Sequence, residues 1–415
     1  MKKLILVVVD GLTAQAFEDA VADGLAPTLA QLAGEGRYRR SLSVFPSLTP
    51  VCLSSLATGA GPDVHEIPHL VWWHRGERRL VEYGSSFGAL RAAGLTRSLH
   101  DTIIDMNRRH LGAGATTLFE ALEDAGLVPA VVNFTCYRGR TRHEATLPGV
   151  PSVLGPRRFF FYNLFESDPT GAPLAVRNRA AGTVDDYAEA VGRWLVTRDG
   201  FDLLVYYLSD YDFASHALGP DAARRELARA DARVGTLAAA AGGLAEFLER
   251  YAVVVCSDHG QTPVREAARL QDAFAGLPGV RVTASNRAAM VYGDDARALA
   301  ERLVGHPAVD VAAFLEDGEL VAQGDVDAHP DGRARLLSAL RNPNAGEVVV
   351  SATPGWEFWD GGGRHHAGGG SHGSLVAGDS EVPMLTVGLA GEAASITDVA
   401  PLALGHFGLG VRVAA

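Results

Sequence analysis

Short apolar runs alternate with amphipathic segments along the chain, the pattern of a largely parallel sheet covered by helices. Leu4–Val9 is continuously apolar and reads as a buried parallel strand. Further strands are expected at Ser41–Phe45, Pro129–Phe134, Asp202–Leu208, Val253–Cys256 and Val382–Val387. Helices are expected over Pro27–Ala33, stopped by Gly34; over Thr49–Ala57, with Pro50 in the first turn; and over Thr116–Ala125, closed by Gly126. Thr183–Val196 is a further helix, with Asp185 and Asp186 at its positive end, and Asp221–Arg250 reads as long and mostly helical. Two stretches break the rhythm. Residues 60–115 hold Trp72, Trp73, His74 and several Arg without a clean period, and read as loops and a lid insertion over the active face. Residues 275–345 read as a small α+β insertion, with strands at Val280–Thr283, Met290–Tyr292 and Val311–Phe314 and a helix at Ala296–Val304. The expected fold is α/β: one domain over residues 1–415, a mostly parallel central sheet between helices, with small insertions forming a lid.

Composition narrows the chemistry. Of 415 residues, 47% are hydrophobic and 21% charged, as in an ordinary globular chain with enough length for a large core. Lys+Arg 37 against Asp+Glu 49 gives −12, a poor match for a nucleic-acid polymer or an anionic membrane. Lys occurs only at Lys2 and Lys3, so no interior Lys exists for a Schiff base or a Walker A loop. Bound phosphate must then be held by metal, Arg, Asn, His or backbone N–H. Cys52, Cys136 and Cys256 form no close pair, which points to a reducing, cytoplasmic setting. The start imitates a signal peptide, but its apolar run is short and broken by Asp10-Gly11, and no stretch is long enough to span a bilayer.

Candidate chemistry collects at strand ends, where sites form in open α/β sheets. Leu4–Val9 ends at Asp10; Asp202–Leu208 runs into Ser209-Asp210-Tyr211-Asp212; Val253–Cys256 runs into Ser257-Asp258-His259-Gly260. Asp212 and His216 share a face if helical, which suits a common metal ion, although alone they make an ordinary surface pair. His372 sits among glycines that let backbone approach an ion; His365 and His366 compete for that role. This Asp/His set suits two divalent ions, zinc or else manganese, which clamp the attacking and leaving oxygens of phosphoryl transfer. Thr49, where a strand gives way to a helix, is the candidate nucleophile; taken alone it reads as a helix N-cap.

The motifs Val7-Val8-Val9-Asp10-Gly11, Ala26-Pro27-Thr28-Leu29, Phe45-Pro46-Ser47-Leu48-Thr49 and Asp212 to Pro220 follow in order along the chain, then Ser257-Asp258-His259-Gly260, Ser371-His372-Gly373 and Thr397-Asp398-Val399-Ala400-Pro401. In that order they resemble the alkaline phosphatase superfamily, in its type I phosphodiesterase/nucleotide pyrophosphatase branch. The resemblance implies a three-layer α/β/α sandwich and hydrolysis of phosphodiester or phosphoanhydride bonds through a phospho-threonine on Thr49. It implies one zinc on Asp212, His216 and His372, and another on Asp10, Asp258 and His259 with Thr49. It implies a small phosphate ester or nucleotide as substrate, and says nothing of oligomeric state. Where the family places a phosphate-holding Asn, after Pro62-Asp63-Val64-His65, this chain has Glu66-Ile67-Pro68-His69, so His69 becomes the expected substrate contact. Trp72 and Trp73, with His74 and Arg75, are expected to line the leaving-group side. A phosphomonoesterase or phosphotransferase is the alternative, and an inactive binding protein of the same fold a more distant one.

Overall fold

A computed structural model describes residues 2–84, 94–172, 174, 182–362 and 365–410. Residues 85–93 of the expected lid, and 363–364 of the Gly-rich stretch, lie outside the described residues. An eight-stranded sheet runs in the order Arg37–Leu42, Glu381–Val387, Tyr251–Cys256, Lys3–Val9, Leu203–Leu208, Pro129–Val132, Arg158–Phe161, Phe165–Glu166. The five strands from Tyr251–Cys256 to Arg158–Phe161 are parallel; Glu381–Val387 and Phe165–Glu166 run against their neighbours. Alternation along Lys3–Val9 feeds two cores. Leu4, Leu6 and Val8 pack with helices Thr49–Thr58, Leu118–Asp124 and Val399–His406. Ile5, Val7 and Val9 pack with Ala14–Ala22, Pro27–Glu35, Val184–Arg198 and Arg224–Ala240. The result is the three-layer α/β/α sandwich, with a central mixed, mostly parallel sheet.

Register positions the site. Val9 pairs with Leu208 and Val8 with Cys256, so three neighbouring strands end level and deliver Asp10, Ser209 and Ser257 to one edge.

A second, antiparallel sheet orders Arg281–Ser285, Ala288–Tyr292, Val348–Ala352, Val309–Glu316 and Glu319–Gln323. Its Val348–Ala352 strand lies beyond residue 345 in sequence. Ala288, Met290, Val311 and Val349 on one face join the main core, while Ala289, Val291 and Ala312 on the other pack with Leu299 and Phe274. One face of the second sheet therefore shares a buried core with Leu4, Leu6 and Val8 of the first.

Several local expectations shift. The long helix over Asp221–Arg250 is two helices, Arg224–Ala240 and Leu244–Arg250, because Gly242 and Gly243 take φ of 112° and 139°. The strand placed at Ser41–Phe45 is Arg37–Leu42, held by the edge of Glu381–Val387. Residues 60–115 contain more order than loops. A hairpin pairs Val71–His74 with Arg79–Glu82, then helix Leu95–His100 leads into a π-helix, Asp101–His110. Among the described residues no helix is long and apolar enough to cross a membrane.

Candidate metal centre

Gly11 lets the chain leave its strand beside a neighbouring acid. Its φ is +72°, and a Cβ there would stand 2.6 Å from Asp212 Oδ1. Gly369 serves His216 likewise, since a Cβ would meet the His216 carbonyl. Asp10, Asp258 and Asp212 thereby converge with His259, His216 and His372. Asp10, Asp258 and His259 form one group whose ligand atoms lie within 4.8 Å of each other; Asp212, His259 and His372 form another.

The histidines are oriented by backbone. Nδ1 of His259 donates to Gly260 O (3.1 Å), Nδ1 of His216 to Gly370 O (2.8 Å), and Nδ1 of His372 to Ser47 O (2.9 Å). Each leaves Nε2 as a lone pair. The Thr49 hydroxyl and the Asn286 amide approach two of them (3.1 and 2.9 Å), and carboxylate oxygens face all three. His259 Nε2 lies 3.4 Å from both Asp10 Oδ1 and Asp258 Oδ2; His216 Nε2 lies 3.4 Å from Asp212 Oδ2; His372 Nε2 lies 4.0 Å from Asp212 Oδ1. Asp10 Oδ1 and Asp258 Oδ2 are buried and, among the described residues, meet no hydrogen-bond donor. Lone pair against lone pair at such distances is repulsive unless a cation lies between, so the residues fit divalent ions.

Charge tells the same story. Burial, then the charges of Asp258 and Asp212, push the Asp10 carboxyl well above its usual range. Burial also raises Asp258. Burial opposes ionisation of Asp212, but the imidazoles of His216, His372 and His259 outweigh it and hold that carboxyl low. Burial and the neighbouring His259 push His372 well down.

Thr49 occupies the first turn of helix Thr49–Thr58, and Leu48 is its N-cap without a side-chain bond. The Thr49 hydroxyl is 3.1 Å from His259 Nε2, so it faces the Asp/His cluster rather than capping the helix. A cleft of about 380 Å³ opens over it, lined by Asp10, Asp212, His216 and His372, and by Leu70, Tyr83, Thr102 and Met106 from residues 60–115.

The expected substrate contacts sit elsewhere. His69 is fully buried, accepts the Val71 N–H, and is pushed down to about 4 by burial. It does not line the cleft, and neither do Trp72, Trp73, His74 and Arg75. Strand alternation explains the tryptophans. Trp72 is 1% exposed, stacked on His74 within the core, while Trp73 faces the opposite way beneath the Arg281 guanidinium. Arg75 covers Tyr292 and pairs with Glu347. His366 lines the cleft against His216, its Nδ1 on buried Glu357 (2.8 Å), whereas His365 packs on Trp359.

Sequence reasoning passes over several residues of the site. The Tyr207 hydroxyl donates to Asp10 Oδ2, and the Gln261 amide donates to Asp212 Oδ1. Gln261 directly follows Asp258-His259-Gly260, a signal of proximity; Tyr207 is one aromatic in an apolar strand and gives none. Asn286, from the second sheet, also lines the cleft.

A third group of ligand-type residues, Asp101, Asp105 and His110, is also buried and within 4.8 Å. Arg79 grips Asp101 with two bonds (2.7 and 3.0 Å), and Arg97 reaches both Asp101 (3.1 Å) and Asp105 (3.0 Å).

The family model for type I phosphodiesterase / nucleotide pyrophosphatase matches residues 4–375. Among solved structures, phosphonoacetate hydrolase from Sinorhizobium meliloti, with phosphonoformate bound, is similar at 21% identity and TM-score 0.68, over 98% of this chain and 95% of that one. Murine ectonucleotide pyrophosphatase / phosphodiesterase 5, an inactive variant in complex with AMP, is similar at 16% identity and TM-score 0.67, over 99% and 96%. No curated protein sequence matches the chain. At these identities the structures speak for a shared fold.

Proposed function

The chain belongs to the type I phosphodiesterase / nucleotide pyrophosphatase family of phosphoric ester hydrolases, and from that premise we propose that it hydrolyses phosphodiester or phosphoanhydride bonds of small molecules, nucleotides among them, with Thr49 as nucleophile. The observation that carries the reading is the Thr49 hydroxyl 3.1 Å from His259 Nε2, at the edge of a buried cluster of Asp and His ligand atoms. Asp212, His216 and His372 would hold one divalent ion; Asp10, Asp258 and His259, with Thr49, would hold the other. Zinc suits this donor set, with manganese the alternative. Two such ions would supply positive charge to the phosphoryl oxygens during displacement.

The chain's own groups supply position. Thr49 Oγ loses its proton and forms the O–P bond as the leaving-group oxygen departs with a proton. Water then cleaves the Thr49 O–P bond and restores the hydroxyl. The positive end of helix Thr49–Thr58 faces the anionic phosphoryl group. Residues 60–115 act as a lid, a role supported by the cleft-lining Leu70, Tyr83, Thr102 and Met106. Phe213, 62% exposed at the cleft, offers a planar surface for a base or other flat leaving group. Three buried free thiols, Cys52, Cys136 and Cys256, support a reducing, cytoplasmic setting.

The test compares bis-p-nitrophenyl phosphate with p-nitrophenyl phosphate, wild type against Thr49→Ala. We expect faster diester turnover, and a loss of about a thousandfold or more in the variant with its metal content kept. A faster monoester rate favours a phosphomonoesterase, and near-wild-type turnover by Thr49→Ala removes the nucleophile.

A further inference from the structure

Asn286 stands in the two-residue turn between strands Arg281–Ser285 and Ala288–Tyr292 of the second sheet. Its φ of 56° is one that Asn tolerates better than most residues. The residue is 8% exposed, yet it lines the cleft beside Thr49, Asp10 and His372. Its side-chain Nδ2 lies 2.9 Å from His372 Nε2. Because His372 Nδ1 donates to Ser47 O, Nε2 is an acceptor, and that fixes which end of the amide faces it.

The turn has little freedom. The Arg287 N–H donates to His372 O (2.8 Å), and the Phe358 N–H donates to Asn286 O (2.7 Å). The Arg287 guanidinium, fully buried, is paired with buried Asp379 at 2.8 Å. The second sheet thus holds a neutral N–H donor against the imidazole nitrogen that a cation would take. Once that lone pair is taken, the donor needs another acceptor, since a buried donor left unmet is costly. Among the described residues lining the cleft there is no Lys or Arg to compete for an anion.

On the reading of Thr49 and the Asp/His cluster proposed above, we infer that Asn286 donates to a non-bridging phosphoryl oxygen of the substrate and thereby favours a monoanionic diester over a dianionic monoester. A neutral amide offers oriented N–H donors and no charge, which matches an oxygen carrying a shared single charge. A dianion gains more from a cationic side chain.

The experiment uses the metal-loaded full chain, wild type and Asn286→Ala. It reads kcat/KM on bis-p-nitrophenyl phosphate and p-nitrophenyl phosphate, metal content, and calorimetric affinity for inorganic phosphate. We expect diester kcat/KM to fall about a hundredfold, as when a single oriented donor to a reacting oxygen is removed. The monoester should fall less, phosphate should bind more weakly, and metal content should stay at the wild-type level. Diester rates within twofold of wild type overturn the inference. So does a loss of metal in proportion to activity, which makes Asn286 a support for His372 alone. Equal losses on both esters overturn the preference. If wild type hydrolyses neither ester, the reading of function fails by itself, and phosphate affinity still decides on Asn286: weaker binding supports the donor, unchanged binding overturns it.

Discussion

Two buried clusters in this molecule contain the same kinds of side chain and do opposite things. At the sheet edge, Asp10, Asp258 and His259 crowd together; in the π-helix, Asp101, Asp105 and His110 do the same at a similar spacing. In the π-helical cluster each carboxylate meets guanidinium, from Arg79 and Arg97. At the sheet edge the ion-pair partners of Asp10, Asp212 and Asp258 among the described residues are histidines only. The arginines make the π-helical cluster complete as it stands and a structural part of the wall beside the cleft. Among the described residues no arginine does this at the sheet edge, which leaves negative charge that a divalent cation would offset. Ligand-type residues at ligand spacing thus do not define a metal site; uncompensated charge does.

The sharpest way to break this comparison is by metal analysis. Asp258→Ala should lower bound metal from about two ions per chain, the number for a two-metal phosphoryl-transfer site, and abolish turnover. Asp105→Asn should leave metal content unchanged. Equal metal loss in both would mean that the two clusters are alike. A smaller effect is expected in stability. Arg79→Ala strips a guanidinium from buried Asp101 and should cost about 3 kcal/mol, at the low end for uncovering a buried charge because Arg97 remains. Urea melts with metal bound would read this directly, and a cost below about 1 kcal/mol would show that the pair is mere surface decoration.

The smallest effect is in acid. Burial pushes His110 down to about 4, so it is neutral in the folded protein at neutral pH. An unfolded His titrates near 6.5. As pH falls below about 6.5 the unfolded chain takes up a proton that folded His110 refuses, so stability is lost between about 6.5 and about 4. Near pH 5 this amounts to roughly 2 kcal/mol, and His110→Gln should flatten the fall in melting temperature between pH 7 and pH 5. A slope the same as wild type would move the acid sensitivity to His69 or His143, which burial also pushes down to about 4.

Sequence and structure part company for physical reasons. The strands ending in Asp10 and Asp258, and the helix carrying Asp212 and His216, are legible because apolar runs of strand length stop at acids. His372 is legible only through the glycines around it and the resemblance it completes. Trp72 and Trp73 mislead because adjacency looks like a shared face, whereas in the hairpin Val71–His74 neighbouring side chains point apart. Tyr207 and Asn286 are invisible in the sequence. Each reaches the site through tertiary placement, Tyr207 from inside an apolar strand and Asn286 from a sheet whose own periodicity gives no hint of which edge it abuts. The π-helix escapes because its i→i+5 turn matches neither helical nor strand periodicity.

Ser47 joins two distant stretches of chain. Its N–H donates to Gly373 O (3.3 Å), its hydroxyl to Ser374 O (3.0 Å), and its carbonyl accepts from His372 (2.9 Å). Residues 47 and 372 are 325 positions apart, yet the turn leading into Thr49 and one imidazole hang on a single stitched seam. In evolutionary terms the two loops form one heritable unit. A one-residue insertion between Ser47 and Thr49, or between His372 and Ser374, displaces both partners at once. A loop exchanged for one of different length on either side of the seam would have to be matched on the other.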